Sequence, residues 1–170
     1  STHSIGPVIN PRIPYNVERD FAPVIDVAKT TAVMVVPASL PAKNLAEFIA
    51  LAKANPGKLN AGSSGNGTVS HLSGELFKAQ AGVFITHIPY RGTGPVLQDM
   101  VAGNIDYTVD QSLNVIPQIK AGTIKSYAVA APARLSSIPD VPTTKEAGVD
   151  FIFSAWNAMV APKDTPKDIV

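Results

Sequence analysis

Hydrophobic and polar positions follow two alternating patterns along this chain, one typical of buried strands and one typical of amphipathic helices. The apolar, β-branched run at 31–36 is ended by Pro37, and it predicts a strand buried on both faces. The segment 44–54 predicts a helix that Asn44 caps and that Asn55-Pro56-Gly57 ends. Its apolar positions recur at helical spacing: Leu45, Phe48, Ile49 and Ala52.

The same two patterns continue to residue 131. Further strands are predicted at 58–62, 83–89, 105–110 and 124–131, and further helices at 68–81, 94–102 and 113–121. Five strands that alternate with helices predict an α/β fold, a mostly parallel sheet flanked by helices on both faces. After Pro132 the pattern weakens: 133–148 is predicted as loop with a short helix, and 151–160 as a last strand.

Composition excludes several classes of protein. Of the 170 residues, 45% are hydrophobic and 16% are charged, which excludes a chain that is disordered as a whole. A net charge of +1 without a long basic run argues against binding to nucleic acid or to an anionic membrane. The absence of cysteine excludes disulfides, thiol catalysis and iron–sulfur clusters.

The two ends of the sequence carry their own expectations. The first ten residues lack the basic and apolar regions of a signal peptide. No apolar run reaches the ~18 residues that a membrane span needs. Near the other end, Thr165 and Pro166 predict the N-cap and first position of a helix, with only one turn of sequence left. We therefore expect the sequence to be part of a longer chain.

The strongest candidate site is the loop Gly62-Ser-Ser-Gly-Asn-Gly-Thr68 between a predicted strand and a predicted helix. Its glycines permit positive φ, Ser63, Ser64 and Thr68 supply hydroxyls, and the helix start supplies free amides. The loop predicts a cup for a small anion, either a carboxylate or a phosphate. The alternative is a tight turn, formed around Gly65, that only caps its helix. The spacing matches neither a P-loop nor a dinucleotide-binding fingerprint.

Histidines and serines near this loop raise the question of catalysis. His71, one turn into the helix, is either a hydrogen-bond donor beside the cup or a side chain that packs on a neighbouring loop. A triad of Ser64, His71 and Asp110 is conceivable, so a small hydrolase is the alternative function, but no G-x-S-x-G elbow supports it. His3 and His87 have no ligand-like spacing to His71, and neither a metal site nor a cofactor is expected.

Two further strand-to-helix loops carry polar candidates. In the loop 89–95, Tyr90 can stack on or hydrogen-bond a ligand, and Gly92 opens backbone amides before the next helix. Arg91 either pairs with a carboxylate or is solvated on a turn. Asp110 either accepts a hydrogen bond from a ligand or caps the following helix.

Seven phrases stand in the same order and spacing as in a known family. They are Tyr15-x-x-x-x-Asp-Phe-x-Pro23, Gly62-Ser-Ser-Gly-Asn-Gly-Thr68 with His71, His87-Ile-Pro-Tyr-Arg-Gly-x-x-Pro95, Asp99-x-x-x-Gly103-x-Ile-Asp106, Ala121-Gly-x-Ile-Lys125, Pro139-Asp-Val-Pro-Thr143 with Glu146-Ala-Gly148, and Trp156 before Ala161-Pro-x-x-Thr-Pro166. The sequence thereby resembles the Bug family of solute-binding receptors, which serve tripartite tricarboxylate transporters. The resemblance covers essentially the whole chain.

The resemblance implies a lobe of a two-lobed, type II periplasmic-binding-protein-like fold. Residues 31–131 would form the second lobe with its crossover strands, and 1–30 and 132–170 would be remnants of an incomplete first lobe. It implies a periplasmic receptor, not an enzyme, that works with membrane transporter subunits. The ligand would be a small carboxylate, of the dicarboxylate or acidic amino acid class, bound without catalysis.

The resemblance also assigns the site. It implies ligand contacts from the three loops, with His71 in support: Ser63, Ser64, Gly65, Thr68, Tyr90, Gly92 and Asp110. A third function is an oligomerising fragment that binds no ligand. In that case exposed first-lobe strands, 24–27 and 151–153 among them, pair between two copies as a homodimer.

Overall fold

Strands and helices alternate through the body of the protein, as the sequence predicts. The structure is a computed structural model and describes residues 3–169. The elements are α1 (Gly6–Ile9), α2 (Val17–Asp20), β1 (Phe21–Pro37), α3 (Leu45–Ala54), β2 (Asn60–Ser63), α4 (Val69–Ala81), β3 (Thr86–Pro89), α5 (Thr93–Val101), β4 (Thr108–Gln111), α6 (Ser112–Lys120), β5 (Ile124–Val129) and β6 (Ser154–Pro162). Within residues 3–169, no helix has the length and apolar character needed to cross a membrane.

Four strands of the body share one direction, and β1 runs against them. β2 pairs in parallel with β3, and a parallel bridge between Ala61 and Tyr107 joins β2 to the segment that leads into β4. β1 lies between β4 and β5 and is antiparallel to both. The predicted α/β class is confirmed. The antiparallel β1 was not predicted, because an apolar run indicates burial of a strand and carries no information about its direction.

The core lies on both faces of this sheet because side chains of a strand alternate between its faces. From β1, Ala32, Met34 and Val36 pack on one face with α3 and α4, including Phe48 and Phe77. Val33 and Val35 point to the other face and pack in a cluster that includes side chains of α5 and α6: Val96, Leu97, Met100 and Val115. The unbroken apolar run in β1 is thus explained by two buried faces.

The first half of β1 leaves the body and forms a two-stranded arm with β6. Residues 21–31 of β1 pair antiparallel with residues 154–162. The arm is largely exposed, including Ile25, Val27, Trp156 and Met159. The exposed strand predicted at 24–27 lies within this part of β1; its full extent was not predicted, because Pro23, Asp26 and Lys29 interrupt the apolar pattern. Pairing of the arm between two copies of the chain stays a prediction.

The segment after β5 packs onto the body as turns. Thr143 forms a parallel bridge to Val129, and the Thr144 hydroxyl donates to the carbonyl of Phe151. Phe151 is buried in the core beside Phe77, so the prediction that 151–153 is an exposed strand is wrong. The short helix expected within 133–148 is absent from the described residues, which form turns there. The division at 30 and 131 stays a prediction, although the packing continues past 131.

The end of the chain also differs from its prediction. Instead of a helix that starts at Thr165, residues 166–169 form a turn in which the Ile169 amide donates to the Pro166 carbonyl at 3.0 Å. Val170 lies outside the described residues.

Helix α3 offers a test of local sequence signals. The Asn44 side chain accepts from the Glu47 amide at 2.9 Å, as the capping pattern predicts. We expect Asn44→Ala to lower the free energy of unfolding by about 1 kcal/mol, because that amide loses its partner. Urea unfolding measures the change. Lys53→Ala, an exposed substitution in the same helix, should change it by less than about 0.5 kcal/mol; equal losses in the two variants would contradict the capping role.

Candidate functional site

The three predicted loops meet at one edge of the sheet. They connect β2 to α4, β3 to α5 and β4 to α6, and these strands share one direction. The Tyr90 amide donates to the Ser63 carbonyl at 2.8 Å, which links the first two loops. The Thr93 hydroxyl donates to Asp110 Oδ2 at 2.7 Å, which links the second and third. The N-termini of three helices therefore lie side by side, at the edge where α/β sheets bind ligands.

The glycine-rich loop uses several of its amides internally. Ser64 N donates to Ser70 Oγ at 2.9 Å, and Gly67 N donates to His71 Nδ1 at 3.0 Å. Gly65 N donates to Ser63 Oγ at 3.3 Å. The expectation that this loop is an open cup is therefore wrong for these three amides, because nearby hydroxyl and imidazole groups satisfy them.

Other amides at the same helix start are free. Within residues 3–169, the amides of Asn66, Val69 and Ser70 have no hydrogen-bond partner. Thr68 caps α4: its Oγ1 accepts from His71 N at 3.5 Å and donates to the Gly65 carbonyl at 2.6 Å. The loop thus combines both sequence interpretations, since it caps its helix and still presents unpaired donors.

The two serines of the loop lie in different surroundings. Ser63 is only 1% exposed, and its hydroxyl lies 2.6 Å from His87 Nε2. A direct contact of that hydroxyl with a ligand conflicts with this burial. Ser64 is partly exposed, and its hydroxyl lies 2.8 Å from that of Ser70. Ser64 stays a predicted ligand contact.

His71 and His87 are neighbours, which sequence spacing did not reveal. Their rings stack with centroids 4.2 Å apart and an interplanar angle of 18°. The statement that His87 has no ligand-like relation to His71 is therefore wrong. It failed because β3 lies beside β2, so that the strand after α4 returns to the start of that helix. Burial, and next the charge on His71, lower the pKa of His87, which favours the neutral ring at pH 7.

The second loop, 89–95, contributes unpaired backbone amides to the candidate site more than it contributes side chains. The Tyr90 hydroxyl donates to Asp99 Oδ2 at 2.6 Å, and burial together with this bond raises the pKa of Tyr90 to about 12. The hydroxyl proton of Tyr90 is therefore already used by Asp99 on α5, and a ligand contact of Tyr90 stays a prediction. Arg91 is exposed and forms no ion pair within residues 3–169.

Gly92 caps α5 with φ 116°, a conformation that other residues adopt only with strain. Beyond it, the amides of Thr93 and Gly94 have no partner within the described part of the chain. Apart from the adjoining residues and the nearby helix backbone, no described atom lies within 4 Å of a methyl group built on Gly92 or Gly94. The start of α5 therefore faces open space with two unpaired donors.

Asp110 holds the second and third loops together. It is 2% exposed and accepts from Thr93 Oγ1 at 2.7 Å, Gln111 N at 2.6 Å and Asn114 Nδ2 at 3.0 Å. Asp110 does not cap α6, because the N-cap of that helix is Gln111 and no side chain caps it. A direct ligand contact of Asp110 stays a prediction. Sequence reasoning missed Thr93 and Asn114, although their position at helix starts in a Gly- or Asp-containing loop is a usable signal.

The geometry disfavours nucleophilic catalysis. The one Ser–His pair in hydrogen-bond contact, among residues 3–169, is Ser63–His87, and Ser63 is buried. Ser64 is bonded to Ser70 and not to His71. The histidine in contact with a serine is thus His87 and not the His71 of the conceivable triad, and the cavity beside His87 measures only about 10 Å³.

In open α/β sheets, ligands bind at the edge where helices begin after the carboxyl ends of the strands, and three helix N-termini lie at that edge here. A family model described as tripartite tricarboxylate transporter family receptor matches residues 1–170. The chain therefore belongs to this family of receptors. This finding agrees with the resemblance seen in the sequence.

Individual relatives agree with the family match. Protein BugT of Bordetella pertussis is 35% identical over 169 residues, which is 98% of this chain and 52% of that protein. The chain spans about half the length of the curated relatives it matches.

Three solved structures are also similar to this chain. A structure described as a periplasmic transporter has a TM-score of 0.92 and 40% identity, and covers 99% of this chain and 57% of its own. MatC of Rhodopseudomonas palustris with bound malate has a TM-score of 0.89 and 36% identity, with the same coverage. Rpa4515 of R. palustris with adipate has a TM-score of 0.87 and 37% identity, and covers 91% of this chain and 52% of its own.

Proposed function

We propose that this chain supplies one wall of a binding site for a small dicarboxylate in a periplasmic receptor. The receptor delivers the ligand to membrane subunits of a tripartite tricarboxylate transporter and performs no reaction on it. Family membership and the bound malate and adipate of two similar proteins support the substrate class.

The observation that carries the proposal is the row of unpaired amides at two adjacent helix starts. Asn66 and Val69 present free amides at α4, and Thr93 and Gly94 present them at α5, whereas the unpaired amide of Ser70 belongs to a buried residue. The helix dipoles add partial positive charge at the same edge. A carboxylate has two oxygens and several lone pairs, so it suits a set of amides that no protein group satisfies.

The wall recognises negative charge mainly through neutral donors. Arg91 is the nearby cation in the loops, and it is exposed. Binding through neutral donors does not depend on an exposed ion pair, which salt would screen.

The chain by itself should bind the ligand weakly. In a two-lobed receptor the ligand bridges both walls, and closure depends on contacts that exist only in the closed state. One wall supplies part of these contacts. We therefore expect malate and adipate to bind this chain with a dissociation constant of about 1 mM or weaker, which is roughly 4 kcal/mol of binding free energy.

Titration of malate monitored by amide resonances tests the proposal. We expect saturable shifts at Asn66, Val69, Thr93 and Gly94, and none with dimethyl malate, which lacks the charges. Gly92→Ala should weaken binding about tenfold, because the start of α5 changes its backbone geometry.

Gly122→Ala is the matched control, since Gly122 also has positive φ (71°) but follows the far end of α6. It should bind malate as the unmodified chain does. Shifts spread over the surface, equal effects of the two glycine variants, or no shifts at saturating malate would each overturn the proposal. Micromolar affinity would contradict the single-wall argument alone.

A further inference from the structure

A compact group of potential metal ligands lies behind the glycine-rich loop. His71 and Glu75 are four residues apart on α4, so they share one face of the helix. His87 on β3 lies against them, and one ligand atom from each of the three residues lies within 4.8 Å of the others. One helix and one strand therefore bring the three residues together.

The chemistry of this donor set is that of a zinc site. Two imidazoles and one carboxylate are the protein ligands of many Zn²⁺ sites, with a water molecule in the fourth position. A small cavity of about 10 Å³ lies between these three side chains and the sheet. That volume corresponds to roughly one water-sized particle, which matches a single ion and not a larger solute.

The cluster has supporting contacts of the kind that orient metal ligands. His87 Nε2 lies 2.6 Å from Ser63 Oγ, a buried hydroxyl oxygen that can accept a hydrogen bond from Nε2–H and leave Nδ1 free as the ligand. Glu75 pairs with Lys78 at 2.6 Å. Lys78 also donates to the Ile85 carbonyl at 3.0 Å, so it keeps a partner when a cation replaces it beside Glu75.

His71 connects this cluster to the glycine-rich loop. Its Nδ1 accepts from the Gly67 amide at 3.0 Å, so the neutral ring carries its proton on Nε2, the nitrogen 3.9 Å from Glu75. An ion that binds Nε2 moves that proton to Nδ1. Nδ1 then no longer accepts, and the Gly67 amide is released. Metal binding should therefore be visible at Gly67 as well as at the ligands.

We propose that His71, Glu75 and His87 bind one divalent transition-metal ion, Zn²⁺ being the best match to their donor atoms. The site is separate from the unpaired amides of the carboxylate wall, and the proposal holds whether or not that wall binds malate.

Calorimetric titration of ZnCl₂ into the chelator-treated chain tests this site. We expect uptake of one ion per chain. Glu75→Gln and His71→Ala should each weaken it by at least about tenfold. Glu75→Gln changes the charge of a partly exposed side chain and keeps its shape, so it should leave the fold intact. It therefore tests metal binding even where His71→Ala disturbs the fold. The Gly67 amide resonance should shift on addition of Zn²⁺.

His3→Ala is the matched control, because His3 is an imidazole outside the cluster, packed against Tyr15 and Phe21. It should leave zinc uptake unchanged. Absence of uptake, uptake that Glu75→Gln does not weaken, or an equal loss in the His3 variant would overturn the proposal. Titration of malate into the same variants shows separately whether the unpaired amides bind a carboxylate. Failure of the zinc proposal can therefore be distinguished from failure of the proposed function.

Discussion

Phe48→Ala is expected to lower the free energy of unfolding by about 3–5 kcal/mol. Phe48 has no exposed surface, and its ring contacts Phe77, Tyr107 and Tyr127 at centroid distances of 6.4, 5.4 and 6.1 Å. These rings come from α4, the segment before β4, and β5. Truncation therefore leaves a cavity where several elements meet, and the cavity adds to the lost transfer free energy.

Urea unfolding followed by far-UV circular dichroism measures this loss. Phe84→Ala is the matched control, since it removes the same atoms from a side chain that is 68% exposed. We expect a change of less than about 0.5–1 kcal/mol there. A loss below about 2 kcal/mol for Phe48→Ala would contradict the prediction, because it would show that the aromatic cluster relaxes into the cavity left by the ring.

Asp110→Ala is expected to cost about 3 kcal/mol. The carboxylate is buried and accepts three hydrogen bonds, from Thr93, Gln111 and Asn114. Its removal leaves three partly buried donors without partners, and each fully buried unsatisfied group would cost about 1–3 kcal/mol before relaxation. The loss falls on the two helix starts that the Thr93–Asp110 bond holds together.

Asp110→Asn separates this structural role from the effect of charge. The amide oxygen can still accept two of the bonds, and the amide nitrogen can donate to Thr93 Oγ1, so we expect a loss of about 1 kcal/mol. Asp150→Ala, an exposed aspartate, should change stability by less than about 0.5 kcal/mol. Equal losses in the alanine and asparagine variants would show that negative charge, and not hydrogen bonding, is what the protein needs at position 110.

Most helices and the body strands were predictable because their signals are local. Helix α4 begins after Thr68 and ends before Gly82, which takes the left-handed conformation expected of a terminating glycine. The arm was harder to predict. Residues 21–30 are held as a strand by pairing with β6, more than a hundred positions away, and their own pattern contains Pro23 and two charged residues.

The candidate site shows the same division. Its three loops could be located in the sequence because glycines, hydroxyl residues and helix starts follow predicted strands. What each side chain contacts could not be predicted. His87 contacts Ser63 and His71 only because β3 pairs with β2. The Tyr90 hydroxyl donates to Asp99 on α5, a partner that the loop sequence does not indicate.

The sequence by itself determined the class of fold, the positions of the binding loops and the family, because these depend on short-range periodicity, on caps and on the order of short motifs. Only the tertiary structure decided the direction of β1, which amides at α4 and α5 remain unpaired, and that His71, Glu75 and His87 form one cluster. Those features depend on contacts between residues far apart in the chain, and a hydrogen-bond donor is free or occupied only relative to the groups that folding brings to it.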